Sequence, residues 1–184
     1  MTGRRDETCR AVNFRPELAL RSQVGDPADE AAHREGPGVV HIHGEIVINR
    51  PPGQGFDVVA DTTKEPQYNP RMHHAEQITT GPISVGTRFH AQTADMGRPV
   101  DMVIEITDYQ RPHTLSSTTH SASMDVHGTL TFDPDLEGTR MRWSWDLELD
   151  GVLKLLGPLI AYIGQRKERT IWTGLKHHLE AHPN

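Results

Sequence analysis

The chain has 184 residues, 35% hydrophobic and 24% charged, with a formal net charge of −6. That composition fits one domain with a tail, is too polar for a membrane protein, and gives a general nucleic-acid role no electrostatic support. The single cysteine, Cys9, excludes an intrachain disulfide and a thiolate metal cluster, and no apolar block follows the first arginines. The expectation is a reducing cytoplasm and no secretory signal.

Residues Met1 to Gly38 read as a disordered tail. Six arginines stand against seven acids without period, and Gly25-Asp26-Pro27 and Gly36-Pro37-Gly38 break any regular element. The folded domain is expected over 39–184. Val40, Ile42, Ile46 and Ile48 alternate with His41, His43, Glu45 and Asn49, so the first strand has one core face and one wet face. Pro51-Pro52-Gly53 ends it. Gly55 to Asp61 then reads as a short helix with Phe56, Val59 and Ala60 inward, and Thr63 to Gln67 as a second helical turn.

From Arg71 the period is two. Strands are expected at Met72–Thr80, Val85–Ala94, Val100–Asp108, His113–His120, Ser123–Phe132 and Thr139–Leu149, with Gly81-Pro82 and Met96-Gly97 among the turns. Thr87, Phe89 and Ala91 share one face; so do Val100, Met102, Ile104 and Ile106, and so do Met141, Trp143, Trp145, Leu147 and Leu149. Asp150-Gly151 then introduces a long helix, Val152 to Ala181, regular from about Gly157 and stopped by His182-Pro183. Its apolar stripe is read as Leu156, Ile160, Ile163, Ile171, Leu175 and Leu179. Gln165, Arg166, Glu168, Arg169, Lys176, His177 and Glu180 are assigned to the opposite side. The expected architecture is α+β: a curved antiparallel sheet of about seven strands closed by the C-terminal helix, with two short helices after the first strand.

The wording of several stretches strengthens this. Ile48-Asn49-Arg50-Pro51, Phe56-Asp57-Val58-Val59-Ala60-Asp61, Tyr68-Asn69-Pro70, Gly86-Thr87-Arg88-Phe89, Gly128-Thr129-Leu130-Thr131-Phe132 and Gly138-Thr139-Arg140-Met141-Arg142-Trp143-Ser144-Trp145 resemble the SRPBCC (START-like, helix-grip) superfamily, in its polyketide cyclase/dehydrase-like branch. The resemblance covers about Val39 to Ala181. It implies the helix-grip fold and a gap between sheet and helix. It carries over no catalytic motif residue by residue, because the superfamily hosts carriers, receptors and enzymes alike.

Two residues apart on one strand, Trp143 and Trp145 project to the same face and offer flat apolar area to a ligand or to the core. Tyr68, Met72, Phe89, Met102 and Tyr162 extend that lining; the rest of the expected wall is Ile104, Val126, Leu130, Leu156, Ile160 and Ile163. Ser117 and Thr119 share a face with Leu115 and would be its hydrogen-bonding members. Cyclase chemistry needs a proton acceptor and a donor, for which His120 and Tyr68 are the candidate pair, although His120 faces outward unless a bulge at Ser121-Ala122 reverses it.

Twelve histidines invite a metal reading. His41 and His43 fall on the wet face, His73 and His74 point apart, and His177 and His178 sit at a helix end, where such side chains are favourable anyway. No metal and no cofactor is expected. Binding of a small hydrophobic molecule, lipid or polyketide-like, is the leading reading. A polyketide cyclase/dehydratase is the alternative and a filled-core interaction module the second; the oligomeric state stays open.

Overall fold

The computed structural model describes residues 39–95, 98–122, 124–149 and 155–182. The expected tail with Cys9, the Met96-Gly97 turn, Ser123, Asp150 to Lys154 and Pro183 lie outside them. Among the described residues, seven strands form one antiparallel sheet: β1 (Val39–Ile48), β2 (Met72–Gln77), β3 (Arg88–Asp95), β4 (Arg98–Gln110), β5 (Thr114–Ser121), β6 (Met124–Asp135) and β7 (Gly138–Leu149). Their spatial order is β1-β7-β6-β5-β4-β3-β2. Helix α1 (Pro52–Ala60) and a 3-10 helix (Thr62–Gln67) carry the chain from one edge of the sheet to the other, and α2 (Gly157–Ala181) closes it.

Alternation sets the inner face. Val40, Ile42 and Ile48 are buried on β1 opposite Leu147, Trp145 and Thr139 of β7. A β-bulge between Ile106 and Asp108 shifts the parity of β4, so Tyr109 joins Ile104 and Ile106 inside and meets Phe56 edge-on at 5.1 Å. Phe56 also meets Phe132 at 5.5 Å, which seals that end of the sheet with α1. Proline in the first turn of α1 costs nothing, because that N–H has no intrahelical partner.

Helix α2 covers two carbonyls of the edge strand β1. Gln165 of α2 donates to the carbonyl of His43 at 2.7 Å and Lys176 to that of Val47 at 2.8 Å. Helix and strand approach closely because Gly164 faces Ile42; a Cβ there would stand 2.3 Å from Ile42 Cδ1. This contact rotates the amino-terminal half of α2 away from the stripe read in the sequence. Gly157, Ile160, Ala161 and Gly164 face β1, while Leu156 and Ile163 are 48% and 41% exposed and Tyr162 is 62% exposed. Farther along, Trp172, Leu175 and Leu179 are buried. Glu168, assigned above to the outer side, lies one turn before Trp172 and therefore shares its inward face.

Among the described residues, the interior holds two apolar clusters. The larger holds Phe56, Phe89, Phe132, Met141, Trp143, Trp172 and Leu175; the smaller holds Val40, Ile42, Leu147 and Leu149. Trp145 packs against both.

Candidate ligand-binding site

At the centre of the inner face, Trp145 of β7 pairs with Gly128 of β6, and Gly128 with Ser117 of β5. The Cε3–Cζ3 edge of the Trp145 ring takes the space beside Gly128, where any Cβ would come within 1.7 Å of Cζ3. Glycine is what makes room for the edge of the indole against the neighbouring strand. From there Trp145 Nε1 donates to Glu168 Oε2 at 2.8 Å, reaching from sheet to helix. Trp172 stacks on Trp145 with ring centroids 6.3 Å apart, and Trp143 follows at 6.0 Å from Trp172.

Trp143 and Trp172 are 3% and 6% exposed, and the Nε1 atoms of both are buried without a hydrogen-bond partner. Trp172 Nε1 does lie near enough to Glu168 to hold its carboxyl pKa down somewhat, but outside hydrogen-bonding geometry. Burial nevertheless dominates, and the Glu168 pKa is raised.

A second carboxyl enters from the 3-10 helix. Asn69 Nδ2 donates to Glu65 Oε1 at 2.7 Å, and the Asn69 N–H donates to the Glu65 carbonyl at 2.8 Å. Burial pushes the Glu65 pKa up to about 7, against the Asn69 hydrogen bond and with help from the negative charge of Glu168. Tyr68, between them in the chain, is 6% exposed, and burial together with Glu65, Asp61 and Glu168 raises its phenol well above the usual value. This segment is pressed against α2: a Cβ on Gly174 would come within 2.2 Å of the Tyr68 carbonyl oxygen. Both carboxyls are desolvated, yet Glu65 and Glu168 keep partial exposure as residues. They border space that water touches.

The expected lining residues divide into groups. Tyr68, Met72, Phe89, Leu130 and Trp143 are buried in or against the core. Met102, Ile104, Ser117, Thr119, Val126 and Trp145 retain partial exposure. Thr119 pairs with Ile104, which packs on the larger apolar cluster, and with Val126, which packs on the smaller. Ile160 packs on the smaller cluster, whereas Leu156, Tyr162 and Ile163 are exposed. His120 stands on the outer face, its Nδ1 2.9 Å from Asp125 Oδ1, and does not meet Tyr68. Strand parity holds through Ser121, so no bulge turns it inward.

Two open grooves flank α2. One, of about 210 Å³, lies between α2 and the turn into β2, with Asn69, Pro70, Arg166, Thr170 and Ile171 in its walls. The other, of about 470 Å³, runs between β1 and α2 with Trp143 at its floor and Gly44, Ile46, Gln165 and Thr173 around it. Of the lining residues expected from the sequence, only Trp143 borders either groove.

Glu65, Asn69, Glu168 and Trp172 were not anticipated. The i, i+4 spacing of Glu168 with Trp172 was the available signal for one of them. For Glu65 there was none, since a glutamate in a short polar helical turn ordinarily faces water.

A family model described as polyketide cyclase / dehydrase and lipid transport matches residues 39–180. No curated protein matches the sequence. Among solved structures, a protein from Thermus thermophilus is similar at 21% identity and a TM-score of 0.67, with 77% of this chain and 97% of that one covered. The Zhui aromatase/cyclase from Streptomyces sp. R1128 is similar at 11% identity and a TM-score of 0.65, covering 76% and 92%. A START superfamily protein from Mycobacterium smegmatis is similar at 12% identity and a TM-score of 0.65, covering 78% and 97%.

Proposed function

The chain belongs to the polyketide cyclase / dehydrase and lipid transport family, and on that footing we propose that it binds a small hydrophobic molecule, a lipid or polyketide-like compound, between the sheet and α2. The observation that carries this is the pair of buried, unpartnered indole donors, Trp143 Nε1 and Trp172 Nε1, beside a half-open apolar wall. A buried donor left unpaired costs about 1–3 kcal/mol. A ligand carbonyl or hydroxyl, or water in the empty state, would satisfy it. The flat faces of Trp145 and Trp172 with Ile104 and Val126 supply apolar area, and Ser117, Thr119 and Glu168 supply hydrogen bonds that orient the ligand.

The test is titration of the full chain with an environment-sensitive naphthalene dye, read by dye emission and tryptophan quenching, followed by displacement with fatty acids and polycyclic aromatic ketones. Saturable binding that a Trp145→Ala substitution weakens supports the reading. Absence of saturable binding, together with native mass spectra free of any retained small molecule, sinks it.

One observation favours a second reading, an enzyme of the cyclase/dehydratase type: two desolvated carboxyls, Glu65 and Glu168, both have raised pKa values, and the charge of Glu168 adds to the rise at Glu65. Near neutrality such a pair can offer an ionised and a protonated member together. The ionised member would remove a proton from the acidic carbon of a poly-β-ketone, and the protonated one, or Tyr68, would give a proton to the carbonyl oxygen under attack. Aromatic absorbance developing from a linear poly-β-ketone mimic, lost in Glu65→Gln and Glu168→Gln while dye binding persists, would establish it. Unchanged turnover in both variants would end it.

A further inference from the structure

On the outer face of the sheet, away from α2, the bulge between Met72 and His74 does more than bend β2. Met72 is buried, and the extra residue at His73 flips the parity, so that His74 and Glu76 both project outward. Glu76 pairs directly with His90 on β3. His74 Nε2 stands 3.7 Å from one Glu76 oxygen and His90 Nδ1 stands 3.6 Å from the other. One ligand atom from each of the three lies within 4.8 Å of the other two.

These separations are too long for hydrogen bonds. They are close to the ligand–ligand spacing around a four-coordinate ion whose bonds to nitrogen and oxygen are about 2.0–2.2 Å. The far side of one imidazole is also arranged as a metal ligand's would be. His90 Nε2 lies 3.1 Å from Asp101 Oδ1 on β4, and Gln92 donates to the same oxygen at 3.1 Å. A carboxylate accepts only, so Asp101 holds the proton on Nε2 and leaves the Nδ1 lone pair facing Glu76 and His74. That is the carboxylate–histidine arrangement that orients metal ligands.

We propose that His74, Glu76 and His90 bind a divalent transition-metal ion, with Zn²⁺ the best fit to a two-imidazole, one-carboxylate set, and with Asp101 as the positioning residue. Water completes the coordination, since the cluster is on the surface. The ion joins the short edge strand β2, which follows directly on the turn carrying Tyr68 and Asn69, to β3. It therefore clips down the segment that bears one wall of the ligand site. The inference does not depend on the ligand-binding reading.

The experiment titrates the full chain with Zn²⁺ and with Co²⁺, reading heat, thermal midpoint and the visible cobalt spectrum, with Mg²⁺ as the hard-cation control. Expected are one saturable Zn²⁺ site, a raised midpoint, a cobalt band of tetrahedral or five-coordinate character, and no response to Mg²⁺. His74→Gln and His90→Gln weaken binding at least about tenfold, and Asp101→Asn weakens it about 10–100-fold and alters the cobalt band, with metal-free midpoints unchanged. The proposal is overturned if no saturable site is found. It is equally overturned if binding persists undiminished in His90→Gln, which would assign the ion to other histidines such as His178 and His182, whose rings lie 5.0 Å apart.

Discussion

Trp145 and Glu168 join the last strand of the sheet to the closing helix through one hydrogen bond, 2.8 Å from indole nitrogen to carboxylate oxygen. Trp145 is also the residue that packs against both apolar clusters, so the same side chain bridges the core and ties the sheet to the helix. Replacing it with phenylalanine keeps an aromatic ring and removes the donor. Trp145→Phe is expected to lower unfolding free energy by about 1–3 kcal/mol in urea and to weaken dye binding. A variant as stable as the parent would show that the bond contributes nothing.

Gly128 makes room for that indole. With a Cβ placed 1.7 Å from Trp145 Cζ3, the Gly128→Ala chain can fold only by moving the ring. The expected loss is about 1–3 kcal/mol, typical of overpacking, with tryptophan emission shifted to longer wavelength as the ring leaves its site. Gly86→Ala has nothing within 4 Å of its Cβ, so any loss there would report backbone strain at φ +83 and leave the emission unmoved.

Stability should fall as pH rises through the range in which Glu65 titrates. Its folded pKa of about 7 lies above the ordinary 4.5, so the folded state holds the proton more tightly than the unfolded chain. The contribution is fully present below about pH 4.5 and is lost as pH rises towards about 7; Glu168, also raised, acts in the same direction. For Glu65 the swing is on the order of 3 kcal/mol at most. Denaturant unfolding at about pH 5 and about pH 8 should show it in the parent, and Glu65→Gln should flatten it. Parallel curves for the two proteins would remove the argument.

Arg50 fastens the end of α2. Its Nε donates to the carbonyl of Leu179 at 3.0 Å and its Nη2 to that of Glu180 at 2.8 Å, filling two carbonyls that the last turn leaves open. Arg50→Met keeps much of the aliphatic stem and should cost about 1.5–3 kcal/mol, with faster amide exchange confined to the last turn of the helix. Uniform acceleration along the whole helix would contradict a local role.

Element order and strand faces were legible because period is a local property. Alternation through Met141, Trp143, Trp145, Leu147 and Leu149 can place the tryptophans on one side of β7 whatever the neighbouring strands are, and the structure has all but Trp145 buried. The bulges at Met72/His74 and Ile106/Asp108 broke that logic at the two places where the chain gathers its less expected groups, the histidine cluster and Tyr109.

Hydrophobic period and turn residues act over a few neighbours, and they were enough to specify an antiparallel sheet of seven strands, two short helices after β1 and a long amphipathic helix after β7. They could not specify that the charge of Glu168 helps raise the Glu65 pKa, that Trp172 stacks on Trp145, or that Glu76 stands between two histidines. Those relationships depend on strand register, on two bulges and on the rotation of α2 against β1 at Gly164, and each is settled by packing between segments far apart in the chain.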